Sequence, residues 1–279
     1  DGEVANSTYT EFFQKEAPER FLEVFIAEQL MVGAAVGLQV VGLTPVAATF
    51  GAFLTRAYDF IRMAAVSGAR IVLAGSHAGV SIGQDGASQM ALEDFSMMRS
   101  IHGSTVLSPA DASSTVRLVE AALDWPGIAY LRTIREDTPP LYGAGDEFPI
   151  GGSKVLRQTA DDRATVVATG ITVFQALEAA DQLKGEGIPV GVIDCYSLKP
   201  IDGETLRGAV KPLVVVEDHW LEGGLGDAVL AALAEDALEG RVVHLAVTEM
   251  PHSGTPDELR DAAGISAVRI AGLVRDLVQ

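Results

Sequence analysis

Three runs in the amino-terminal half carry residues whose types and spacing could do chemistry. In Phe25-Ile26-Ala27-Glu28-Gln29, a carboxylate follows an apolar segment read as a strand and precedes an apolar helical pattern. Such a group is poorly solvated and suited to proton handling. An acid in the first turn of a helix is also stabilised there simply as a cap, and both readings stand at this point. In Thr49-Phe50-Gly51-Ala52-Phe53-Leu54-Thr55-Arg56, Phe50 and Phe53 are three apart and share a face at the start of a helix. They suit either a core or a stacking wall for a flat heteroaromatic ring. The third run, from Gly75 to Gln89 (GSHAGVSIGQDGASQ), is a glycine-rich loop with His77, Asp85 and Gln89 as fixed polar groups. A loop of that length in a compact domain is functional or disordered. Its glycine spacing fits neither the P-loop nor the dinucleotide fingerprint.

The elements that must position these groups are short β-rich runs alternating with helical patterns. Strands are expected at Phe21–Ile26, Val46–Thr49, Arg70–Gly75, Thr105–Ser108 and Ile128–Arg132, then at Thr165–Thr169, Pro189–Asp194, Leu213–Glu217 and Val242–Val247. Helices are expected at Leu30–Gly42, Gln89–Ile101, Ala110–Leu123, Val173–Gly185, Gly226–Glu235 and Ala267–Leu277. Apolar strands separated by amphipathic helices mean mostly parallel sheets covered on both faces, an α/β chain of two doubly wound domains. The glycine- and proline-rich stretch Leu141–Ser153 separates them, giving domains 1–145 and 146–279. In such sheets ligands sit beyond the carboxyl ends of strands. That rule selects Glu28 and the loops after Thr49, Gly75 and Arg132.

Bulk properties remove several classes. The net charge of −18 argues against broad nucleic-acid binding or docking on anionic lipid, and an anionic substrate would need locally placed cations. The single cysteine, Cys195, excludes an intramolecular disulfide and lies in the apolar run Val190–Cys195, as a buried structural thiol does. The greasy stretch Leu30–Leu54 is interrupted by Gln39 and Thr44-Pro45. It reads as interior or subunit interface rather than as a membrane span. The polar amino terminus is no signal peptide, and a reducing, cytoplasmic setting is expected. The first residue is Asp rather than Met, so the natural start is expected to lie upstream.

Five runs, in order and at matching spacing over essentially the whole chain, resemble transketolases. They are the Ile-Ala-Glu-Gln run at Glu28, the Thr-Phe-x-x-Phe-x-x-Arg-Ala run from Thr49 and the Gly-Ser-His loop. The others are Leu131-Arg132-Thr133-Ile134-Arg135 and Val216-Glu217-Asp218-His219-Trp220-Leu221-Glu222-Gly223-Gly224-Leu225-Gly226. The pattern is most similar to the animal-type and split-gene branch.

The resemblance implies a thiamine diphosphate-binding fold, with a pyrimidine-binding domain followed by the family's Rossmann-like carboxyl-terminal domain. It implies transfer of a two-carbon ketol unit from a ketose, expected to be phosphorylated, to an aldose. In this pattern Glu28 matches the glutamate that bonds N1′ of the cofactor pyrimidine. Phe50 and Phe53 match the aromatic wall on that ring, and Arg56 lies on the same wall. Gln89 matches a polar residue at the cofactor and the two-carbon fragment. Asp85 resembles the acceptor of a sugar hydroxyl, and Ser7, His77 and Arg135 match ligands of the substrate's terminal phosphate. A guanidinium grips phosphate through two donors at once, which suits Arg135. Ser7 also reads as a helix cap in its polar Asn6-Ser7-Thr8 run. His219 reads as structural, at a domain or subunit interface, and His244 carries no usable signal.

Two departures and two absences mark the chain. Gln84 stands where the family usually has Glu, and Ala87 where it usually has Pro, which leaves the loop freer. The Gly-Asp-Gly…Asn pair that holds diphosphate through Mg2+ or Ca2+ is not found, and a family arginine for substrate phosphate would precede Asp1. The expectation is a carboxyl-terminal subunit or fragment. It would work with an amino-terminal diphosphate-binding subunit or domain, as a heterotetramer or a homodimer of complete chains. The rivals are a 2-oxoacid dehydrogenase β-type subunit or a deoxyxylulose phosphate-forming enzyme, a specialised-pathway transferase using an unusual sugar or carrier thiol, and a non-catalytic regulatory module.

Overall fold

The computed structural model describes residues 1–234 and 241–278. In chain order the strands are β1 (Val46–Phe50), β2 (Ile71–Ser76), β3 (Thr105–Leu107), β4 (Ile128–Arg132), β5 (Lys154–Arg157), β6 (Thr165–Ala168), β7 (Gly191–Asp194), β8 (Ser197–Lys199), β9 (Leu213–Trp220) and β10 (Val242–Val247). They form two five-stranded sheets, ordered β1-β2-β4-β3-β8 and β10-β9-β6-β7-β5. Within each sheet four strands are parallel, and β8 and β5 add antiparallel edges. The chain is therefore α/β with two mostly parallel, doubly wound sheets. β2 to β4, β6, β7 and β9 are buried almost throughout, as central strands covered on both faces must be.

Helices cover the sheets along apolar stripes. Helix Thr172–Gly185 buries Val173, Ala176, Ala180 and Leu183, a helical repeat that lays one face on the second sheet. Helix Ala112–Asp124 starts at a capping box in which Ser114 N–H donates to Asp111 Oδ1 at 2.8 Å. The other Asp111 oxygen accepts Leu141 and Tyr142 N–H at 2.8 and 2.9 Å, tying the glycine- and proline-rich connection to the first sheet. Helix Glu28–Val40 buries Met31, Val32 and Ala35 and leaves Leu30 and Val40 exposed. Helix Tyr58–Val66 packs on it at Gly33, beside the Phe60 ring, and exposes Phe60, Met63 and Val66. The stretch read as interior or interface thus has one interior face and one apolar face open to solvent. Among the described residues no helix is long and apolar enough to cross a membrane.

Three sequence expectations are corrected. Phe21–Ile26 is not a strand: Phe25 has φ of 58°, and Leu22, Phe25 and Ile26 are exposed. Its backbone pairs with the chain start instead, the Asp1 amino group donating to Leu22 O at 2.8 Å and Val24 N–H to Asp1 O at 3.0 Å. An apolar run reads as a strand when alternate side chains face a core, and here Val24 packs on the core while Leu22, Phe25 and Ile26 face solvent. The helix expected at Gln89–Ile101 occupies only Asp94–Arg99, because Ala91 is spent on a bridge to Ala78. Strands β5 and β8 were not foreseen; β8, from the carboxyl-terminal half, completes the amino-terminal sheet. The helix expected at Gly226–Glu235 is found at Leu225–Leu233, and Glu235 lies outside the described residues.

Candidate functional site

Glu28 opens its helix at the first helical position and is 3% exposed. It follows irregular backbone, not a strand. The preceding Ala27 supplies no side-chain cap, and the Glu28 carboxylate takes Arg56 Nη1 as its partner. Arg56 comes from the 3-10 turn Gly51–Ala57 that directly follows β1, and its guanidinium lies 4.4 Å from the Phe53 ring centre. Phe53 in turn stacks on Phe50, with ring centres 5.1 Å apart. One turn after one strand therefore places an aromatic wall and a cation beside a buried carboxylate.

The stack continues into the glycine-rich loop. The His77 ring lies on Phe50, with centres 3.9 Å apart and planes 10° apart. His77 has φ of 58°, unusual for a residue with a side chain, and is 6% exposed. Its Nδ1 is 2.5 Å from Ser76 Oγ. Burial, reinforced by the Arg135 charge and opposed by Asp85, depresses its pKa to about 4. It is neutral at pH 7, one ring nitrogen donating and the other accepting. Arg135 Nη1 donates to Ile82 O and to Asp85 Oδ2, both at 3.2 Å. The Asp85 and Arg135 side chains are 43% and 47% exposed, so the pair faces water.

The structure thus joins Glu28, Arg56, Phe53, Phe50 and His77 in one chain of contacts, and sets the Arg135–Asp85 pair near enough for its charges to act on His77. Gln89 is half-buried in the turn that closes the loop, its N–H on Gly86 O at 3.0 Å. Ser7 lies in the short helix Ala5–Thr8, its hydroxyl 3.5 Å from Asn6 Oδ1; that helix has no side-chain cap, and Asp1 accepts Val4 N–H at 2.7 Å just ahead of it. These contacts join neither residue to the stack. Of the departures, Gln84 is exposed, whereas Ala87 lines a 380 Å³ cleft with Phe53, Arg56, Ser88, Trp220 and Met250.

Support from the second sheet was mostly invisible in the sequence. At the end of β9, Glu217 accepts Leu225 and Gly226 N–H at 2.6 and 2.8 Å and pairs with His244 at 2.7 Å. His219 Nε2 accepts Ser96 N–H at 3.4 Å from the first domain's helix, which makes it a domain-interface residue. Asp218 reaches the glycine-rich loop itself, accepting Val80 N–H at 2.8 Å. Arg132 and Asp94 form a buried ion pair at 2.9 Å under that loop, and Tyr130 donates to Asp94 at 2.6 Å. The motif Glu217-Asp218-His219 pointed to this region; nothing local in sequence assigned Asp94, Arg132 or His244. Cys195 is fully buried, and burial pushes its pKa up, as befits an inert thiol.

Comparison with known proteins bears on the whole chain. The family profile described as "Transketolase, pyrimidine binding domain" matches residues 1–140, and "Transketolase, C-terminal domain" matches residues 153–270. "Transketolase-like protein 2" of Mus musculus is 48% identical over 100% of this chain and 45% of its own length. "Transketolase" of Homo sapiens is 45% identical, again over 100% of this chain and 45% of its own. The chain therefore spans about half the length of the curated relatives it matches. A solved structure described as "Split gene transketolase, inactive beta4 tetramer" aligns at a TM-score of 0.90 with 37% identity, covering 99% of this chain and 90% of that one. Transketolase from Leishmania mexicana, 23% identical at a TM-score of 0.79, shares the fold. Both halves of the chain, in order, carry the transketolase domains, and the chain belongs to the transketolase family.

Proposed function

We propose that this chain is the ring-activating and sugar-gripping half of a thiamine diphosphate-dependent transketolase, acting on a phosphorylated ketose donor and an aldose acceptor. The observation that carries the reading is the unbroken stack Arg56–Phe53–Phe50–His77, which joins the buried Glu28 carboxylate to the glycine-rich loop beside Arg135. The donor set suits the ring end of the cofactor: a buried carboxylate for a protonated ring nitrogen, and aromatic faces for a flat ring. Among the described residues no group of three or more His, Cys, Asp or Glu could hold a metal ion. Mg2+ or Ca2+, and with it the diphosphate, is assigned to the partner subunit or domain.

When bound, the cofactor supplies the carbanion chemistry of ketol transfer. Glu28 holds a proton at N1′ of the pyrimidine; Phe50 and Phe53 orient the ring; Arg56 shares the Glu28 carboxylate. Arg135, His77 and Ser7 bind the terminal phosphate, Asp85 accepts a sugar hydroxyl, and Gln89 faces the two-carbon fragment. In the free chain Asp85 and Arg135 satisfy each other, so a phosphate competes with Asp85 for the guanidinium. The open apolar faces of helices Glu28–Val40 and Tyr58–Val66 suit docking of the diphosphate-binding partner. Similarity to a split-gene chain described as an inactive tetramer supports a need for that partner.

The test is exchange of the cofactor C2 proton for deuterium in the assembled enzyme, comparing wild type with Glu28→Gln. Slowed exchange with intact cofactor binding is expected, since an amide cannot hold the ring proton. Unchanged exchange leaves Glu28 as a residue stabilising a helix start and removes the centre of the reading.

A further inference from the structure

The glycine-rich loop is anchored by two different domains. Its first residues are held by the first sheet: Ala78 N–H donates to Thr133 O at 3.1 Å and Gly79 N–H to Ala91 O at 2.9 Å. Its next residues lie against the second domain. A Cβ on Gly83 would stand 3.1 Å from Gly254 O, and one on Gly86 2.8 Å from Ser253 Oγ. At the changeover stands Asp218, 1% exposed, whose Oδ1 accepts Val80 N–H at 2.8 Å. Its Oδ2 is buried too, the Ser81 backbone N–H and the Arg132 and Arg260 charges also act on the carboxylate, and any side chain at Gly79 would come within 2.1 Å of Oδ2. Gly79 also has φ of +81°, so the loop passes the carboxylate at a position only glycine fills without strain.

Burying a carboxylate costs folding free energy that its hydrogen bonds and neighbouring charges must offset. Here the carboxylate ties the loop to the carboxyl-terminal domain. The turn it pins, Val80–Asp85, carries both oxygens to which Arg135 donates, Ile82 O and Asp85 Oδ2. His77 sits three residues before the pinned amide. We propose that Asp218 is a positioning residue for the donor's phosphate, acting from the carboxyl-terminal domain through Val80 on the Arg135–Asp85 pair and His77. The activity part of this inference rests on the phosphorylated-donor reading above; the loop anchor does not.

The test uses the assembled enzyme with Asp218→Ala and Asp218→Asn. In Asp218→Ala, amide hydrogen exchange should quicken in residues 80–85, and KM for a phosphorylated ketose should rise about tenfold, as for one lost hydrogen bond to a charged acceptor. The kcat for an unphosphorylated donor and the C2-proton exchange should hold, because Glu28 is not displaced. Asp218→Asn keeps an acceptor oxygen and should restore loop protection and KM. It also decides the matter if the alanine variant does not fold: a folded asparagine variant with a raised KM or an unprotected loop overturns the proposal. Unchanged exchange at 80–85 in a folded Asp218→Ala overturns it too. Quickened exchange with no selective effect on phosphorylated donors keeps the anchor, refutes its role in phosphate binding, and is read separately from the Glu28 test.

Discussion

Replacing Arg135 with alanine should separate phosphorylated from unphosphorylated donors. The Arg135–Asp85 pair is 3.2 Å long with both side chains nearly half exposed, and such pairs contribute about 0–1 kcal/mol to folding. The variant should therefore fold, with little change in melting temperature. The loss to a bound phosphate is larger, because a charge-assisted hydrogen bond is worth roughly 1.5–3 kcal/mol, or about ten- to 150-fold in KM. Steady-state kinetics of the assembled enzyme on a ketose with and without its terminal phosphate measures the difference. The Arg135 charge also helps depress the His77 pKa to about 4, so the His77 imidazole should titrate at higher pH in the variant, read by NMR. Equal KM changes on both donors, or an unmoved His77 titration, would refute the reasoning that places both residues at one anion site.

Two further outcomes are expected. The chain alone, with thiamine diphosphate and magnesium, should show no ketol transfer and should gain it on addition of a diphosphate-binding subunit; turnover by the isolated chain removes the need for a partner. His77 should also make folding stability depend on pH. Its folded pKa of about 4 lies below the ordinary histidine value of 6.5, so between these values the unfolded state binds the extra proton. Stability should hold above pH 6.5 and fall by roughly 3 kcal/mol as the pH drops toward 4. Urea midpoints from pH 7 to 4.5 should show a slope that is smaller in His77→Gln, and an identical slope in both proteins would place the burial penalty elsewhere.

Several of the residues that the structure gathers stand out already by type and spacing. Glu28 between apolar runs, Phe50 and Phe53 three apart, and His77 and Asp85 among glycines are local patterns, and local patterns survive in one dimension. The alternation of β-rich and helical runs likewise sufficed for two doubly wound sheets, because parallel strands need a helix between them. Where the reading failed, the deciding partner was distant in sequence. Phe21–Ile26 has strand composition, but its backbone bonds go to the chain start, 20 or so residues away. β8 is three residues long and carries no pattern of its own; the edge of the other domain's sheet makes it a strand. Arg56 was expected on the aromatic wall, yet its bond to Glu28 depended on how a turn after β1 meets a helix. The pinning of Val80 by Asp218 spans 138 positions. A buried backbone N–H must find an acceptor, and only the packing of the two domains decides which one it finds.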